Sequence, residues 1–78
     1  MNEYNDKGKR HGYWEHYFIN EKLSAKGTYI NGKRHGYWER HWGNGNLMFK
    51  GNFINGLFTG YCEHYNPDGI IKEKEFYL

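Results

Sequence analysis

The sequence predicts an all-β fold: three 24-residue β-hairpin repeats that form one curved antiparallel meander sheet in a single domain. Three observations carry this. The octapeptide GKRHGYWE stands at residues 8 to 15 and again at 32 to 39, with a decayed copy, GLFTGYCE, at 56 to 63. Aromatic residues make up 21% of the chain and glycines number 11, while valine is absent. No stretch sustains helical spacing. A fixed period of this size marks an architecture in which each unit is one supersecondary element resting on its neighbours, and rings with glycines suit a twisted sheet better than a helix.

The units align without a gap as 8–31, 32–55 and 56–78, with residues 1–7 as an N-terminal cap that supplies a further strand. Within each unit a turn signal sits in the middle. Asn44-Gly45 and Asp68-Gly69 are preferred pairs for a two-residue type I′ turn, and Asn20-Glu21 holds the same place in the first unit. Six strands follow, at 12–18, 22–30, 36–42, 46–54, 60–66 and 70–77.

Two-residue turns fix the register. They set Glu15 opposite Lys26, Glu39 opposite Lys50 and Glu63 opposite Lys74, three opposite-charge pairs from one assumption. They also set Trp14 against Gly27 and Trp38 against Gly51, and place Gly12, Gly36 and Gly60 against Tyr29, Phe53 and Tyr77, so that a ring covers each bare backbone position. Period-two alternation then gathers Trp14, Phe18, Leu23, Ala25, Tyr29, Trp38, Trp42, Leu47, Phe49, Phe53, Cys62, Ile71 and Tyr77 on one apolar face and the tyrosine row with the Glu-Lys pairs on the other. With no helix to cover the apolar face, the sheet is expected to curl, form a homodimer or meet a partner.

The residues that carry this frame, G-x-x-x-G-Y-W-E, then N-G, then K-G-x-Y/F, resemble MORN repeats over residues 8 to 78. They are most similar to the MORN-repeat variant of small bacterial antitoxin-like proteins. The resemblance implies consecutive hairpins in one elongated sheet, and roles in protein binding, scaffolding and contact with membrane lipids. The third unit departs from the pattern, with Cys62 in place of Trp, Glu75 in place of Gly, and Asn66-Pro67 before its turn.

Composition excludes several functions. The chain has no apolar N-terminal stretch and nothing of transmembrane length, and its lone cysteine cannot form an internal disulfide, so a cytoplasmic protein is expected. His11 and His35, like the three repeated glutamates, lie two strand spacings apart, roughly 9 to 10 Å, which is too far for shared ligation or paired-carboxylate chemistry. His16, His64 and Cys62 lack ligand spacing. No enzyme, metal or cofactor is expected.

Interaction remains. Lys9-Arg10-His11 and Lys33-Arg34-His35 read as basic linkers between hairpins, and the corresponding Leu57-Phe58 is an apolar pair. Partner contacts are assigned to Trp42, Phe49, Leu57 and Phe58 as apolar anchors, with Arg10, Lys33 and Arg34 beside them. The expected function is a protein-binding module acting by occlusion, an inhibitor of a toxin or nuclease of the antitoxin or anti-CRISPR kind, bacterial or phage-encoded. The competing expectation is nucleic-acid or anionic-lipid binding through the basic residues.

Overall fold

Alternating aromatic and small residues, broken by Asn-Gly and Asp-Gly pairs, fold into strands and nothing else. The computed structural model describes the backbone of residues 1–77 and the side chains of 1–76. It contains β1 (Glu3–Tyr4), β2 (Arg10–Tyr17), β3 (Leu23–Ile30), β4 (Lys33–His41), β5 (Leu47–Ile54), β6 (Leu57–Tyr65) and β7 (Ile71–Tyr77). Each strand pairs antiparallel with the next in chain order, giving one open meander sheet. The molecule measures 41 × 36 × 11 Å, the thickness of a single layer.

The predicted register holds away from the turns, where Glu15, Glu39 and Glu63 face Lys26, Lys50 and Lys74 as expected. The turn types are exchanged. The mid-hairpin loops have three residues, closed by Phe18 N–H to Lys22 O, Trp42 N–H to Asn46 O and Asn66 N–H to Ile70 O. Their third positions, Glu21, Gly45 and Gly69, have φ of 71°, 93° and 88°, the pattern of a type I turn followed by a left-handed residue. The register near each loop is therefore displaced by one, and Ser24, Met48 and Lys72 are the extra residues that restore it, so Leu23, Leu47 and Ile71, expected on the apolar face, stand opposite Tyr17, His41 and Tyr65 on the charged one. The type I′ geometry appears instead between hairpins, at Asn31-Gly32 (φ 50° and 81°) and Asn55-Gly56 (φ 50° and 83°). With turns that tight the strands extend to Lys33 and Leu57, so Lys33-Arg34-His35 and Leu57-Phe58 are strand residues rather than linkers.

Two sets of glycines serve different ends. A side chain on Gly27 would place its Cβ 2.2 Å from the Trp38 ring, and one on Gly51 would meet the Cβ of Cys62 at 2.6 Å and Phe49 at 2.9 Å. Their bare backbone is a floor for the next strand's side chain: Trp38 crosses to the preceding hairpin's Gly27, rather than covering Gly51 of its own. Gly12, Gly36 and Gly60 were expected to be ring-covered, but a Cβ there would meet nothing within 4 Å, and their φ values are 81°, 78° and 70°. They hold a left-handed backbone conformation. At Gly36 and Tyr37 the β3–β4 register slips by two residues, from Gly27/Trp38 to Thr28/His35. The ring of Tyr77, the expected cover for Gly60, lies outside the described side chains.

Trp14, Ala25, Tyr29, Trp38, Phe49, Phe53 and Cys62 form the core. Volume is conserved between neighbouring positions. Large Trp38 lies over bare Gly27, whereas over Gly51 small Cys62 is compensated by large Phe49, so the third hairpin keeps a filled core without its tryptophan. Edge-on contacts continue the packing, Tyr29 to Trp38 at 4.9 Å and Phe49 to Phe53 at 6.0 Å. Indole N–H groups anchor the rings: Trp14 donates to Glu3 O at 3.0 Å and Trp38 to Thr28 O at 2.9 Å. Trp38 is 1% exposed and Phe49 4%. The rings thus cover one another within one chain.

Candidate interaction surfaces

The seven residues assigned to a partner do not form one patch. Arg10, Arg34 and Phe58 are 24 residues apart and occupy corresponding places on β2, β4 and β6. Each lies against the rings beside it. The Arg10 guanidinium sits 5.3 Å from Trp14 and 5.6 Å from Tyr29, that of Arg34 sits 5.5 Å from both Trp38 and Phe53, and Phe58 meets Phe53 at 4.6 Å and Phe49 at 5.1 Å. Lys33 and Leu57 flank the tight turns at the same end of the sheet, next to exposed Ile30 and Ile54. Leu57 is 74% exposed and Phe58 38%. Five of the seven residues therefore share one end, basic along β2 and β4 and apolar along β6.

The other two stand elsewhere. Phe49 fills the space beside Cys62 in the core and offers no surface to an incoming partner. Trp42 lies at the opposite end, by the three-residue loops, half-buried, with its indole N–H donated to Tyr65 O at 3.1 Å. It joins the second hairpin to the third. The loops at that end are also tied by side-chain amides: Asn20 donates to Gly43 O at 3.1 Å, and Asn44 and Asn46 both donate to Pro67 O at 2.8 Å.

On the face opposite the core, the charged residues form a continuous row. Glu15, Lys26, Glu39, Lys50, Glu63 and Lys74 are successive cross-strand neighbours from β2 to β7. The close ion pairs run between hairpins rather than within them, Lys26 to Glu39 at 3.6 Å and Lys50 to Glu63 at 3.3 Å. Tyrosines complete the carboxylates. Tyr13 and Tyr17 donate to Glu15, Tyr37 donates to Glu39, and Tyr61 and Tyr65 donate to Glu63. Those bonds, with Lys50, hold the Glu63 carboxyl at about 2, and the bond to Glu63 followed by burial pushes Tyr61 up to about 12. Burial first, then Glu39, also takes Tyr37 up to about 12. Hydrogen bonds of this kind clamp the carboxylates and phenols of this face to one another.

The core face carries a feature that the sequence reading missed. Arg10, Arg34 and Arg40 line a hollow of 340 Å³ with His16, Met48 and Phe18. His16 lies between Trp14 and Trp38, its ring centroid 5.7 and 6.4 Å from theirs, and its Nε2 is 3.1 Å from the Tyr29 hydroxyl. Burial, then the charges of Arg10 and Arg34, lowers its pKa. The signal was present in the register, since His16, Ala25 and Arg40 are successive cross-strand neighbours and so share a face. At the other edge of that face, donor atoms of His64, Glu73 and Glu75 lie within 4.8 Å of one another, and Cys62 Sγ is 3.8 Å from His64 Nε2. Glu73 and Glu75 occupy the places that Ala25/Phe49 and Gly27/Gly51 hold in the other hairpins.

The chain matches no family model, no curated protein and no solved structure. Among the described residues, no helix is long and apolar enough to cross a membrane.

Proposed function

We propose that this chain is a non-enzymatic protein-binding module that acts by occlusion, a small inhibitor of a toxin or nuclease working inside a bacterial cell. The observation that carries the reading is the tight-turn end of the sheet, where Ile54, Leu57 and Phe58 present apolar surface next to the basic row of Arg10, Lys33 and Arg34. A hydrogen-bonded single-layer sheet offers such an end as a preformed surface, at little ordering cost on binding. Resemblance of residues 8 to 78 to the MORN variant of antitoxin-like proteins supports the same class, and a phage-encoded inhibitor of a defence nuclease, of the anti-CRISPR kind, belongs to it mechanistically.

Substitution at the surface tests the reading. Leu57→Glu with Phe58→Glu should abolish capture of one protein from native lysate, after nuclease treatment and a salt wash, while Tyr13→Phe on the opposite face leaves capture intact. Retention of the same protein by the double variant contradicts the assignment.

A second reading, nucleic-acid or anionic-lipid binding, is favoured by the basic row itself. It requires affinity that falls steeply with salt and is lost when Arg10, Lys33 and Arg34 are neutralised.

A further inference from the structure

The hollow on the core face is lined by three arginines. Arg10 comes from β2, Arg34 and Arg40 from β4, and no carboxylate among the described residues lies within ion-pair distance of any of them. Arg10 and Arg34 are held over rings, a contact made through the π-face that leaves their N–H donors unused. Arg40 reaches the same face as a cross-strand neighbour of Ala25 and Phe49. His16, between two tryptophans, lies close enough to Arg10 and Arg34 for their charges to disfavour its own protonation.

Three guanidinium groups around one recess match an anion with several equivalent oxygens, because each fork can present paired donors to it. The apolar part of the wall, Phe18 and Met48, suits an organic group attached to that anion. The volume of 340 Å³ is at the small end of ligand sites, the size of a small organic molecule. We infer that the hollow is a binding site for a small phosphate monoester, its phosphate held by Arg34 and Arg40 with Arg10 as third donor, and its organic group against Met48 and Phe18. The inference goes beyond the protein-binding reading, since it needs no partner and uses Arg40, His16 and Met48 away from Leu57 and Phe58.

The groups facing His16 are Arg10 on its own strand, Tyr29 on β3 and Arg34 and Arg40 on β4. A bound dianion offsets the cationic charges among them and raises the His16 pKa. The test titrates the full chain with phenyl phosphate, and separately with inorganic phosphate, at constant ionic strength, following the His16 ring signals by NMR across pH. Saturable binding of phenyl phosphate is expected, with an upward shift of the His16 midpoint. Arg40→Gln and Arg34→Gln should each weaken it by at least about tenfold, and Lys7→Gln, in an exposed turn outside the hollow, by less than about twofold. Two variants guard against a loss of fold at either position. A response that is linear in phosphate and identical in wild type and Arg40→Gln would overturn the inference. So would binding to phosphatidylserine-containing vesicles or to single-stranded RNA with no saturable response to phenyl phosphate, because the arginines would then be serving a surface rather than a pocket.

Discussion

At the scale of single residues, glycines that look alike in the sequence are kept for opposite reasons. Gly27 lacks room for a side chain, whereas Gly36 has room but adopts a backbone conformation that side chains resist. Gly27→Ala should therefore cost about 1–3 kcal/mol through overpacking against Trp38. Gly36→Ala should cost about 1–2 kcal/mol through φ alone, with Gly36→Asn milder because Asn tolerates the left-handed region. Denaturant unfolding of the three variants separates the two mechanisms; equal costs for Ala and Asn at position 36 would contradict the second. The Tyr-Glu clamps make a pH prediction. Glu63 is held below its ordinary value of 4.5, at about 2, so its contribution is complete above 4.5 and is lost as pH falls through about 2. Tyr61 is raised from 10.0 to about 12, so its contribution is complete below 10.0 and is lost as pH rises through about 12. Glu63→Gln should flatten both limbs of the stability profile, read by thermal melts with tyrosinate absorbance on the alkaline side. An unchanged acid limb would mean the clamp does not contribute.

At the scale of strands and turns, the pairing of strands was legible and the turns were not. Three Glu-Lys pairs and the Trp-Gly pairs pointed to one register, and that register is observed from Gly12 to His16 and at the corresponding places in the later hairpins. Local dipeptides misassigned the turns because Asn-Gly occurs both mid-hairpin, at Asn44-Gly45, and between hairpins, at Asn31-Gly32 and Asn55-Gly56. A left-handed glycine serves a type I′ turn and a three-residue loop equally well. What distinguishes them is the bulge at Ser24, Met48 and Lys72, which no local sequence preference announces. The between-hairpin turns then require left-handed conformation at their asparagines. Asn55→Ala should cost about 1 kcal/mol and Asn55→Gly should be near neutral, as measured by denaturant midpoints. An alanine variant as stable as wild type would mean the turn is not of this type.

At the scale of the molecule, an all-antiparallel sheet one layer thick closes its own core by laying rings on glycines and by trading volume between Trp38, Phe49 and Cys62. The candidate site was legible only in part. Leu57, Phe58, Arg10, Lys33 and Arg34 share one end because their spacing of 24 puts them at equal heights on alternate strands. Phe49, expected as an exposed anchor, is buried because burial depends on what the neighbouring hairpin leaves empty, a property of pairs of residues that single positions do not reveal. Arg40 was passed over because its meaning lies across strands, in the row it shares with His16 and Ala25. The central claim is that the tight-turn end is a docking surface for a protein. The measurement that tests it most directly is capture from native lysate with the wild type and the Leu57→Glu/Phe58→Glu variant side by side, each checked for native fold by circular dichroism. One protein retained through nuclease and salt by the wild type and lost by the folded variant is the predicted result. Equal retention by both, or retention of nothing but nucleic acid or lipid that salt removes, would contradict it.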